Sequence, residues 1–90
     1  MPDQLIKPND PEIGRVLAVN ELKPPQVVWL QKAGRPQIVT MWAVEVTPTT
    51  VLFYSGVSRM HFLARRCGES ITDEDGAAFG IYEYLGKENQ

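Results

Sequence analysis

A single cysteine, Cys67, is all the thiol this chain has. It excludes an intrachain disulfide and any site that needs several thiolates, and it fits a reduced, cytosolic protein with a buried, inert sulfur. There is little excess of charge. With a net −2, the chain as a whole has no attraction for phosphate or for an anionic membrane, although a local basic patch stays open to it. No apolar run nears the roughly 20 residues of a membrane-spanning helix. No apolar segment follows Met1-Pro2-Asp3-Gln4 as a signal peptide would require. These absences set the expectation of a cytoplasmic protein without membrane contact. Internal repeats, low-complexity tracts and glycine-rich phosphate loops are also missing, and no signature calls for a cofactor or a metal.

What is present is β structure. From Gln26 to Arg66 the chain is rich in β-branched, aromatic and apolar residues, broken only at Gly34-Arg35-Pro36, Thr47-Pro48-Thr49-Thr50 and Gly56. Such punctuation marks consecutive antiparallel strands with short connections. Ninety residues hold one domain, near the lower limit for unaided folding, and 43% hydrophobic residues suit a globular chain. The expected fold is all-β, or β-rich α+β. It is a small antiparallel barrel or curled sheet of about five to six strands, SH3-like or OB-like in build.

Residues 1–14 carry Pro2, Pro8 and Pro11 and read as an extended arm, with Leu5 and Ile6 as its plugs against the domain. The domain proper is 15–86, and 87–90 form a polar tail. Within it, Arg15–Leu22 is a strand whose composition also suits a helix, and Lys23-Pro24-Pro25 ends it. Gln26–Ala33, Gln37–Val46, Val51–Ser55 and Phe79–Leu85 are clearer strands, and Ser70–Thr72 is a short one. The segment Val57–Cys67 admits a helix capped by Ser58 but is read as a strand, because its neighbours are strands. Asp73-Glu74-Asp75-Gly76 is a solvated acidic turn that lacks the spread of oxygen ligands a calcium loop needs.

Alternation along Gln37–Val46 puts Ile38, Thr40, Trp42, Val44 and Val46 on one face, and Trp42 is expected to anchor the core. Val39, Met41 and Ala43 then form a second apolar face. A chain this short has little left with which to cover that face, so Val39, Met41 and Ala43, with Leu52 and Tyr54, are expected to bury it against a second copy as a homodimer or higher oligomer.

Three functions follow. The first is a non-enzymatic, self-associating protein-interaction domain, which could also take another protein partner. The second is a nucleic-acid-binding barrel, with Arg59, His61, Arg65 and Arg66 near Tyr54 supplying cations and a ring. The net charge makes this the less favoured reading. The third is a small-molecule binder with a pocket at the barrel mouth, lined by Trp29, Trp42 or Tyr54. Catalysis by His61 and Cys67 is disfavoured, since on a strand six residues separate them by roughly 20 Å. The closing run Ile81–Gly86 after an acidic turn resembles, in general look only, short accessory proteins of phages and mobile elements, and no residue role follows from it.

Overall fold

The computed structural model describes residues 11–86. The arm up to residue 10, with Leu5 and Ile6, and the tail from 87 lie outside the described residues. Seven strands run in chain order: β1 (Ile13–Val16), β2 (Gln26–Lys32), β3 (Ile38–Val46), β4 (Thr50–Ser55), β5 (Met60–Cys67), β6 (Ser70–Thr72) and β7 (Ala78–Tyr84). All pairings are antiparallel. From β2 to β7 each strand pairs with the next, and β7 returns to β2, closing a six-stranded barrel. β1 adds to the far half of the β7 edge that β6 occupies at its start. The sequence-based expectation of a small antiparallel barrel is met.

The barrel interior takes alternate residues, as the pleat requires. Val28, Leu30, Ala43, Val51, Phe53, Ala64, Ile71 and Ile81 are buried there, with Phe62 and Phe79 partly so. Phe62 bridges the interior rings, 6.2 Å from Phe53 and 5.2 Å from Phe79 between centroids. A second, smaller cluster covers the outside of β2. Trp29 packs there with Ile13, Ile38, Tyr82 and Tyr84, its indole N–H donating to the Glu12 carbonyl oxygen at 2.9 Å.

The strand expected over Arg15–Leu22 is instead two pieces. β1 stops at Val16, and Val19–Glu21 form a 3-10 turn. This turn inserts Leu17, Val19 and Leu22 into one end of the barrel. It is held at both sides. The Glu21 carboxylate accepts from the Ala18 amide at 2.8 Å and pairs with Arg15 at 3.0 Å. Glu69, in the β5–β6 connection, accepts from the Val19 amide through its carbonyl and from the Asn20 amide through its side chain. The apolar spacing that read as either strand or helix serves a plug, because a short 3-10 turn can aim three side chains down the barrel axis without a strand partner.

Trp42 corrects a second expectation. It lies on the outer surface, opposite Tyr54, with 43% of its area exposed. The partners inside the barrel are Ala43 with Phe53 and, one residue out of phase, Val46 with Val51. A β-bulge between Ala43 and Glu45 makes this possible: the extra residue lets Ala43 and Val46 point the same way, and leaves Val44 and Glu45 exposed. Strict alternation therefore assigned the faces of β3 in reverse over Trp42 and Ala43.

The remaining boundaries agree closely. Val57–Cys67 is a turn followed by β5, not a helix, and Met60, Phe62 and Ala64 share the inward parity expected for a strand. Gly76, at φ +87°, takes the left-handed conformation expected in the β6–β7 turn. The acidic turn is not uniformly solvated, however. Asp73 is buried, and its Oδ1 accepts the amides of Asp75 and Ala77 while Oδ2 pairs with Lys32.

Candidate interaction site

The outer faces of β3, β4 and β5 form one continuous surface. Register places Trp42, Tyr54 and His61 in one row across the three strands, and Glu45, Leu52 and Leu63 in the next. Arg65 stands beside Thr50 in the row below. Tyr54 and His61 touch, with ring centroids 4.9 Å apart and planes at 55°. Trp42, Val44 and Leu63 are exposed, and Leu52 and Tyr54 are half-buried. β-Branched and aromatic residues make these strands form, and with the interior already filled by Val51, Phe53 and Ala64, the outward set has no layer over it among the described residues.

The five residues expected at a subunit interface therefore separate. Leu52 and Tyr54 lie on this outer face. Ala43 has no exposed area and belongs to the barrel core, so a second copy has nothing of it to touch. Met41 and Val39 share its inward parity: Met41 is half-buried against the core, and Val39 is exposed at the barrel end away from the plug. The barrel itself covers most of the second face of β3.

The basic set separates too. Arg66 is tied into the structure. Its Nε donates to the Gly68 carbonyl at 2.8 Å, its Nη1 to the Thr47 carbonyl at 3.0 Å, and its Nη2 lies 3.6 Å from Glu69. It braces the plugged end. Arg59 sits in the β4–β5 turn with φ +59°, so it does not share the strand face of His61. His61 and Arg65 do share that face and are exposed. Cys67 lies on it as well, and the sulfur expected to be buried is exposed. Among the described residues no three metal-ligating side chains come together.

Electrostatics adds one asymmetry. Glu45 and Arg65 have no ion-pair partner among the described residues, although each flanks the apolar Leu52–Leu63 row. The carboxyl groups held below their usual range lie elsewhere. Asp73 is lowered chiefly by its bond to Lys32 and then by the Ala77 amide, and Glu21 by the Ala18 amide and then Arg15. Both serve turns.

The signal for this surface was present in the sequence as two-sided apolarity of β3. The bulge that decides which side is outward left no mark, because Val44-Glu45 contains no glycine. No family model, no curated protein and no solved structure matches the chain. Among the described residues no helix is long and apolar enough to cross a membrane.

Proposed function

We propose that the protein is a non-enzymatic interaction domain that pairs with a second copy of itself through the outer face of β3, β4 and β5. The observation that carries this reading is Trp42, a large aromatic held 43% exposed on the outer strand surface beside Val44, Tyr54 and Leu63. Contiguous apolar surface of this kind usually has a binding role. The occupant is a second copy because the face is complementary to itself. Glu45 on β3 and Arg65 on β5 lie on opposite sides of β4, neither ion-paired among the described residues, and two-fold packing along β4 brings each near its opposite in the other subunit. Sedimentation at rising concentration tests the reading. A dimer that Leu63→Glu converts to a folded monomer is the expected result. A strict monomer at high concentration would refute it.

Single-stranded nucleic acid is the second reading, favoured by the Trp42–Tyr54–His61 row as a stacking platform, with Arg65 two rows along the same face. Arg66 is already bonded within the fold, which reduces the cations available. Binding of oligonucleotides that weakens steeply with salt would support it.

A further inference from the structure

The two ends of the barrel are not alike. Leu17, Val19 and Leu22 plug one of them. The other holds a cavity of about 410 Å³, at the end where the β2–β3, β4–β5 and β6–β7 connections lie. That is within the range of pockets that enclose small organic ligands. Its floor is Leu30, Met41, Phe62 and Phe79, and its wall includes Val39 and Met60. The last two deserve comparison with the plugged end: they have the inward parity of Ala43 and Ala64, yet Val39 is 47% and Met60 65% exposed. Among the described residues no equivalent of the 3-10 turn enters here, and small residues, Ser55 at the end of β4 and Ser58 in the β4–β5 turn, line it instead.

The cavity lining itself carries two cations, Lys32 and Arg35, together with His61 and Gln37, and no carboxylate. Lys32 is already paired with Asp73 at 2.8 Å. Arg35 is exposed, and its guanidinium has no partner among the described residues. A way in exists besides the open end. β5 pairs with β4 from Met60 onward, but β6 joins it only from Arg65. The gap beside Met60–Ala64 opens a groove that shares Lys32, His61, Phe62 and Phe79 with the cavity, and its outer part carries Asp73, Glu74 and Asp75 beside Arg65, so the open end is the route that suits an anion.

We infer that the open barrel end is a binding site for a small amphipathic carboxylate, whose apolar body lies on Met41, Phe62 and Phe79 and whose anionic head meets Arg35. Burial of the body against that floor supplies the affinity. The guanidinium, a planar donor suited to two carboxylate oxygens, selects the head. This site shares only His61 with the outer face of β3, β4 and β5, its floor and Arg35 lie off that face, and it does not depend on that face being an interface.

Calorimetric titration of the full chain with decanoate, decanol and decylammonium, each below its aggregation concentration, tests the inference. Decanoate is expected to bind saturably, one per chain, and at least tenfold more tightly than decylammonium. Arg35→Glu is expected to remove that preference while leaving the melting temperature unchanged, because Arg35 is exposed. Met41→Trp is expected to abolish binding by filling the floor. Val39→Trp, at the exposed wall, is the second blocking variant should Met41→Trp fail to fold. Absence of saturable decanoate binding overturns the site. Equal affinity for the ammonium, or a preference that survives Arg35→Glu, overturns the assignment of the head group. Binding that survives a folded blocking variant overturns the location. A dimer split by Val39→Lys but not by Leu63→Glu would show that a second copy occupies the barrel end, and would also overturn the proposal.

Discussion

Lys32 Nζ and Asp73 Oδ2 stand 2.8 Å apart, joining the end of β2 to the turn between β6 and β7. Asp73 does more than this pair shows, because its other oxygen accepts two backbone amides, of Asp75 and Ala77, at 2.9 Å each. The carboxylate thus satisfies donors that the turn would otherwise leave open. Asp73→Ala is expected to lower the melting temperature more than Lys32→Met, which removes one half-buried partner and leaves the amides bonded. Equal losses in the two variants would show that the ion pair, not the turn, is what stabilises this corner.

The same carboxylate sets a pH dependence. Its bond to Lys32 and the Ala77 and Asp75 amides hold its pKa below the ordinary 3.8. The folded state therefore binds this proton less readily than the unfolded chain. The stabilisation is complete above the ordinary value, declines as pH falls from there through the lower folded value, and is gone beneath it. Thermal melts of the protein and of Asp73→Asn should converge as pH drops below about 4 and separate above it. Parallel curves over that range would show that Asp73 titrates normally.

The two tryptophans occupy opposite environments on the same outer side of the barrel. Trp29 is buried against Tyr84, 5.3 Å between centroids, with its N–H bonded, whereas Trp42 is the more exposed ring. Trp29→Ala should cost about 3–5 kcal/mol, the usual loss for a large buried aromatic. Trp42→Ala should cost about 1 kcal/mol or less in the monomer, as substitutions at open surface sites do. Acrylamide should quench the emission of Trp29→Phe, which retains Trp42, more strongly than that of Trp42→Phe under monomeric conditions. The reverse order would place Trp42 inside.

The contrast also measures how far the sequence could be read. Turn residues and period-two patterning located β2 to β7 within a residue or so, except the start of β5, read three residues early at Val57, and a barrel follows from that many short strands. Val57–Cys67 resolved as a strand because β4 and β6 give it partners that an isolated short helix would lack. Two features were hidden for a physical reason. The bulge at Val44-Glu45 is made by pairing with β4, not by local residue preference, so nothing near Trp42 announces the change of face. The plug formed by Leu17, Val19 and Leu22 has the apolar spacing of a strand or helix, and only the open barrel end it fills explains its shape. The arginine cluster was legible as a cluster, but the withdrawal of Arg66 depends on the Thr47 and Gly68 carbonyls, which only tertiary folding brings within reach.

Cys67 should react in the folded protein. It is exposed on the outer side of β5, opposite Ser70. Ellman's reagent is expected to modify one thiol per chain without denaturant, and Cys67→Ser should leave the melting temperature within a couple of degrees. Reaction only after unfolding would mean that another surface, such as a second subunit, covers β5 there.

Ala43 gives the sharpest test of the barrel interior. It faces Phe53 across the β3–β4 ladder, and both have no exposed area. The small residue is needed because the phenyl ring of Phe53, itself packed on Phe62, takes the space at that level. Ala43→Leu would drive extra methyl groups into a filled layer and should cost about 1–3 kcal/mol. Adding Phe53→Val should recover part of that loss by returning volume to the same layer, since residues in contact do not act independently. Strictly additive losses in the double variant would show that the two side chains do not share a layer, and Ala43→Leu without any cost would put residue 43 on the surface, as an interface made of Met41 and Ala43 requires.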